Sequence, residues 1–350
     1  MAYQADIADR STAARVLSQL TAPFTIIVVA HGLLSVILAY ATGYRFDPGM
    51  AGLLAMILGL LVPWFLLVLL IRRTVLLAIV DRSERPVADM VNIMKSLFAD
   101  RDRMLGGSFQ LLLVSFFVGS FGYQKELVAV VQPFGWDVAF AEIDRFVHFG
   151  LDPFRLLLPV FGSPLATSAL NAVYHAWFFL IYFVVFVACF AQRGHKPSIA
   201  FLIALVLTFA IGGNAMAIMF SSAGPVYFER LGLGGDFVPL MSHLNSVAEI
   251  SPVWALQVQE DLWAGYMNDG VLAGISAMPS MHVATAVLMA LYAWTHARWA
   301  GYMMALFAIL IMLGSVHLGW HYAVDGYVGA MIAWIAWRIG LAVARREGSA

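Results

Sequence analysis

The chain has 350 residues, 62% of them hydrophobic and 12% charged, with a net charge of −1. A soluble domain carries about 25% charged residues, so this composition excludes an ordinary water-soluble fold and points to lipid as the solvent. The near-neutral balance gives no electrostatic case for nucleic acid, and the one cysteine, Cys189, excludes an intrachain disulfide and reads as a packed residue.

Apolar runs of about 17–25 residues have the length of membrane-crossing helices. The sequence holds eight: Ala22–Ala41, Ala51–Ile71, Ser108–Tyr123, Thr167–Phe190, Ser198–Phe220, Met281–His296, Trp299–Val316 and Tyr322–Ala344. No small-residue cleavage site follows the first, so it reads as an anchor and not as a cleaved leader. Residues 72–107 mix charged residues with Val, Met, Leu and Phe, which predicts either an interfacial amphipathic helix or a solvated linker helix. The third run is the shortest and meets Lys125 and Glu126 at once. In 124–166, Trp136, Phe140, Ile143, Val147, Phe154 and Leu157 recur near helical spacing and predict one or two helices on the membrane surface. Residues 221–280 are punctuated by glycine and proline, which predicts irregular structure with short helices. Loops of this length are often functional.

Lys and Arg placement orients the bundle. Fifteen of the twenty fall at the N-terminus, in 72–107, at Arg193 and Lys196, at Arg298 and from Arg338 onward. Arg45, Lys125, Arg145, Arg155 and Arg230 fall on the other side. The positive-inside rule then predicts cytoplasmic termini. The alternation requires an even number of spans.

In this topology two polar clusters share one side of the membrane. Met278-Pro279-Ser280-Met281-His282 opens the sixth span, and His317-Leu318-Gly319-Trp320-His321-Tyr322-Ala323-Val324-Asp325 opens the eighth. His321 and Asp325 are four residues apart and share a helical face. A carboxylate there fixes the imidazole tautomer and leaves the other nitrogen as nucleophile or base. Pro279-Ser280 is a helix start, where backbone N–H groups and the helix dipole favour an anion. Two histidines, an orienting carboxylate and anion-binding groups are the parts of phosphoryl transfer through a phosphohistidine. His317 lies on the same stripe. His175 and Asn214 sit inside spans, where polar groups line cavities or bind neighbouring helices. His31, His148, His195 and His296 read as polar end groups.

Pro279-Ser280-Met281-His282 and Gly319-Trp320-His321-Tyr322-Ala323-Val324-Asp325 resemble two motifs of the type-2 phosphatidic acid phosphatase superfamily. The His321-Tyr322 pair resembles its inositol phosphorylceramide synthase (aureobasidin-resistance) branch. The resemblance covers about residues 108–344. It implies an all-α polytopic membrane protein of about eight transmembrane helices, with a six-helix phosphatase-type core in 108–350 and two further helices with their connector in 1–107. It implies that His321 attacks phosphorus, Asp325 orients and charge-stabilises it, His282 handles the leaving-group and acceptor protons, and Ser280 binds a phosphate oxygen. The family's lysine and arginine motif is missing after the fifth span, where Ser221–Arg230 stands, and so is a later arginine, with Gly314-Ser315-Val316 near its place. Both losses resemble the synthase branch.

For the missing phosphate contacts the sequence offers Arg230 first, with Tyr227, His317 and His175 beside the site, and Lys125 and Arg145 as weaker cations. The expected activity is transfer of a phosphate-bearing head group from a phospholipid donor to a lipid hydroxyl acceptor. The alternative is a phosphatase on a lipid phosphate or polyprenyl pyrophosphate. A transporter fits less well, because the spans carry few charges and show no inverted repeat. No metal and no cofactor is expected, since phosphoryl transfer through histidine needs neither. The expected location is a bacterial inner membrane, with the site on the periplasmic side. Oligomeric state is not legible.

Overall fold

The computed structural model describes residues 22–192, 194–268 and 274–347. Among them there is no strand. The helices are α1 (Pro23–Thr42), α2 (Met50–Ile79), α3 (Pro86–Ala99), α4 (Arg101–Glu126), α5 (Asp137–Val147), α6 (Pro153–Phe161), α7 (Pro164–Cys189), α8 (Lys196–Met219), α9 (Val238–Ala248), α10 (Trp254–Met267), α11 (Met281–Trp294), α12 (Arg298–His317) and α13 (Ala323–Glu347). Seven of these are long and apolar enough to cross a membrane, and α11 is a shorter apolar helix. The protein is a polytopic membrane protein of about eight helices, as its sequence predicts.

Several boundaries differ from the sequence reading. The third span starts at Arg101 and continues through Glu126, so Lys125 belongs to the helix and not to a loop. A charge ends an apolar run by hydropathy, but it need not end a helix whose inner face can take it. α2 runs on to Ile79, which leaves α3 as the amphipathic helix of the 72–107 connector. α5 and α6 are the two predicted surface helices. Their outer faces expose Phe146 and Val160, and Phe149 in the α5–α6 turn is 98% exposed. The buried face of α5 holds Asp137, Phe140, Ala141 and Asp144.

Residues 132–163, 221–268 and 274–280 gather on one end of the bundle, the loop face. α11 has 14 residues, about 21 Å at 1.5 Å per residue, against about 30 Å of hydrocarbon. It is short because its first turn lies deep. His282 packs on Tyr174, Trp177 and Phe178, which lie ten or more residues along α7 from Pro164, about 15–20 Å at helical rise. The chain reaches this depth through non-helical segments at 221–224 and 274–280. Irregular backbone is tolerated there only when its polar groups are satisfied by protein. Ala277 N–H donates to Ser222 O at 2.9 Å, Met278 N–H to Ser222 Oγ at 3.2 Å, and Gly135 N–H to Ser221 O at 3.0 Å. Gly224 has φ +102° and lies so close to the Trp320 carbonyl that a Cβ would sit 2.5 Å from it. Only glycine fits that crossing.

α1 is tied to the core by polar groups. His31 and Asn214 meet Nε2 to Oδ1 at 3.0 Å, and Gln124 Nε2 donates to His31 O and Ser35 Oγ. His31 is therefore not an end group: it sits mid-helix, and Asn214 serves helix–helix bonding. Such bonds contribute about 0.6–2 kcal/mol each between membrane helices. Asn214 lies in a π-helical stretch, Thr208–Met216. Gly212 and Gly213 of that stretch face Met281, the residue before His282.

Candidate active site

The starts of α11 and α13 are joined directly. Ser280 N–H donates to the Asp325 carbonyl at 3.0 Å, and a Cβ on Gly329 would sit 2.5 Å from Ser280 O. Ser280 caps α11, with Oγ accepting from Val283 N–H at 3.4 Å. A hydroxyl can accept and donate at once, so its proton stays available for an acceptor.

His321 follows the turn at Gly319, which adopts φ +75°. Its own N–H and that of Trp320 both donate to Ser315 O. The side chain meets Asp325 Oδ2 through Nδ1 at 3.3 Å and also contacts the Ala277 backbone. The same Oδ2 accepts from Tyr322 N–H at 3.0 Å. Oδ1 of Asp325 is buried with no hydrogen-bond partner among the described residues. Asp325 is 0% exposed and His321 7%.

His282 stacks on Tyr174 with ring centroids 4.6 Å apart and leans on Trp177 at 4.2 Å. Trp177 is fixed in turn by its Nε1–H bond to Thr285 Oγ1 at 2.8 Å. His282 and His321 lie within electrostatic reach of each other, and the charge of Lys125 acts on both. His175 also acts on His282. Its Nδ1 bonds Asn171 O, and its ring meets Trp254 edge-on.

The other predicted contacts lie elsewhere. The Arg230 guanidinium forks onto Glu260 and lies over Trp263. The charges it acts on are Glu260, Glu229 and Tyr227, not the histidines. An exposed pair of this kind contributes about 0–1 kcal/mol to stability. Tyr227 is 1% exposed, stacks on Trp263 and donates to Gln259 O at 3.0 Å, so it belongs to the roof formed with α10. Burial pushes its phenol well above the usual range. The stripe from His317 to Asp325 is broken, because α12 ends at His317 and α13 begins only at Ala323. His317 turns instead to Thr167, Nε2 to Oγ1 at 3.0 Å, beside Phe161 and His243. Arg145 is spent on Asp152 and Asp236.

Two residues that the sequence reading passed over frame the site. Asp137 accepts from Ala223 N–H, Gly224 N–H and the Tyr322 hydroxyl at 2.8–3.1 Å. Asp144 accepts from Ala323 N–H at 2.6 Å and Val324 N–H at 2.8 Å. Burial raises both carboxyls above their ordinary range. For Asp144, backbone N–H bonds oppose that shift and the Asp325 charge adds to it, leaving it at about 6. Their signal in the sequence was faint but present: Asp137, Phe140, Ala141 and Asp144 share one face of an amphipathic helix, where a carboxylate is out of place.

A histidine–carboxylate couple thus lies within electrostatic reach of a second histidine inside a helical bundle. The chain belongs to the PAP2 superfamily: the family model of that description matches residues 138–339. That match carries phosphatase or phosphotransferase chemistry in general, and it does not reach the branch that His321-Tyr322 resembles. No curated protein and no solved structure matched the chain.

Proposed function

We propose that the protein is a lipid phosphotransferase that moves a phosphate-bearing head group from a phospholipid to a lipid hydroxyl. The observation that carries this reading is the His321–Asp325 couple at 3.3 Å within electrostatic reach of His282. Asp325 holds the Nδ1 proton, so Nε2 carries the lone pair. That nitrogen attacks phosphorus, and the P–O bond to the donor's glycerol oxygen breaks. His282 delivers the proton to that oxygen. In the second half-reaction His282 takes the proton of the acceptor hydroxyl, the acceptor oxygen attacks phosphorus, and the P–N bond to His321 breaks. Ser280 donates to a phosphate oxygen. In this reading the catalytic core is 108–350 and the loop face is periplasmic, as the lysine and arginine distribution favours.

Depth favours a lipid acceptor over water. The couple is nearly closed to solvent, and burial suppresses hydrolysis of a reactive intermediate. The resemblance of His321-Tyr322 to the inositol phosphorylceramide branch makes an inositol-phosphate head group and a ceramide the first pair to try. Purified protein in mixed micelles would receive phospholipid labelled at phosphorus together with ceramide or diacylglycerol. Label passing into a new lipid is the expected result, and label passing only into water-soluble phosphate would replace this reading with a phosphatase.

Lys125 takes the role of phosphate-binding cation in this reading, in place of Arg230. Lys125→Met is expected to lower kcat/KM by about 10²–10³-fold, the scale of losing one preorganised group on a developing charge. Arg230→Met is expected to stay within about threefold, because an exposed pair is worth little. Steady-state kinetics of both variants check this, and the reverse ranking would return the role to Arg230.

A further inference from the structure

α13 begins without a capping side chain ahead of it, and among backbone N–H groups its own Asp325 reaches back only to that of Tyr322. The residues before it are Trp320-His321-Tyr322, and none of them offers the short side chain that normally accepts from first-turn N–H groups. Asp144 fills the gap from 179 residues away, one oxygen on Ala323 N–H and the other on Val324 N–H. These two amides lie between His321 and Asp325. The carboxylate therefore grips the backbone that separates the two members of the couple. The neighbouring Arg145 is bound to Asp152 and Asp236, and the group whose charge opposes that of Asp144 is His148.

We propose that Asp144 is a positioning residue: its carboxylate sets the geometry in which the start of α13 presents His321 to Asp325, and its protonation state gates turnover. This rests on the reading of His321 as nucleophile. The groups facing Asp144 are Asp325, Tyr322 and Tyr327 from α13 and its approach, with His148 from the end of α5. His148 joins the two elements a second time, through its bond to the Tyr327 hydroxyl at 2.9 Å. With its carboxyl at about 6, Asp144 titrates within the working range of an enzyme. A protonated oxygen becomes a donor, so one of the two amides loses its acceptor. The sign for stability runs the other way. A raised carboxyl binds its proton more tightly in the folded chain, so acid favours the fold in the window from about 4 to 6 while loosening the cap.

The test uses the full chain in detergent, wild type and Asp144→Asn. The variant is isosteric and fixes the neutral form at every pH. Wild-type kcat is expected to fall about fivefold between pH 7.5 and 5 with its step near 6, with no loss of thermal stability. Asp144→Asn is expected to be about tenfold slow throughout and to lack that step, with KM within twofold, as a cap change acting on turnover requires. Amide hydrogen exchange of residues 320–326, corrected for intrinsic rates, is read on the same samples. Protection should drop at pH 5 in wild type, and at both pH values in the variant. Wild-type kcat with an unchanged acid step, or protection of 320–326 unaffected by the substitution, overturns the proposal. The exchange measurement needs no substrate. If the phosphoester reading itself fails, the exchange still decides whether Asp144 holds this helix start.

Discussion

His321→Ala leaves no measurable turnover, and wild-type protein quenched during reaction with phosphorus-labelled phospholipid carries acid-labile, base-stable label on His321. That is the expected result. The side chain sits in a pocket that needs no imidazole to fold, because the surrounding turn is held by backbone bonds. Trp320 and His321 N–H both reach Ser315 O, Val226 N–H reaches Gly319 O, and Ser280 N–H reaches Asp325 O. Truncation at Cβ therefore removes the nucleophile with its contacts to Asp325 and Ala277, and leaves the backbone bonds of the turn in place. Loss of a covalent nucleophile costs more than about 10⁴-fold in rate. The residual catalysis that binding alone supplies cannot carry the label, so the trapped phosphohistidine and the rate loss must appear together. Normal turnover in His321→Ala would sink the mechanism, whatever the substrate proves to be.

Asp325→Asn is the second large effect, and the structure sharpens what it removes. Both polar contacts of the carboxylate, to Tyr322 N–H and to His321 Nδ1, fall on one oxygen, while the other oxygen has no partner among the described residues. An asparagine can place its carbonyl oxygen where Oδ2 lies and keep both bonds, with its amide nitrogen in the unpartnered position. The tautomer and the turn survive, and the negative charge does not. A slowed reaction then measures charge stabilisation of the phosphorylated, positively charged ring. The expected fall is about 10²–10⁴-fold in kcat with KM nearly constant, since this interaction is made in the transition state and the intermediate. Single-turnover formation of the phosphohistidine should slow by the same factor. A kcat within threefold of wild type would show that orientation, not charge, is what Asp325 supplies.

The spans and the two motif clusters were legible because they depend on local signals: apolar length, a helix start at Pro279-Ser280, and the four-residue spacing of His321 and Asp325. What was hidden depends on partners far along the chain. Lys125 read as the end of a span because charge lowers hydropathy, and only the packed bundle brings its charge within electrostatic reach of two histidines. Arg230 read as a free cation because Glu260, thirty residues away, had no visible reason to meet it. His317 was read on a continuous stripe with His321, and the break at Leu318–Tyr322 turned it to another neighbour. Asp137 and Asp144 passed unread within a stretch that showed only its apolar spacing. Their role appears only where amides some 85 and 180 residues later come to rest on them.

The brevity of α11 has a mechanical consequence. Most enclosed sites shut water out with a part that moves, and then wait for it to open. If the proposed site is the reacting centre, the length of a helix sets it below the mouth of the bundle, and dryness would be a standing property of the scaffold. The polar head of a lipid would have to descend toward the level of its own chains to meet His321, leaving those chains in the bilayer. A head group cut free of its tails would have nothing to guide it down that path.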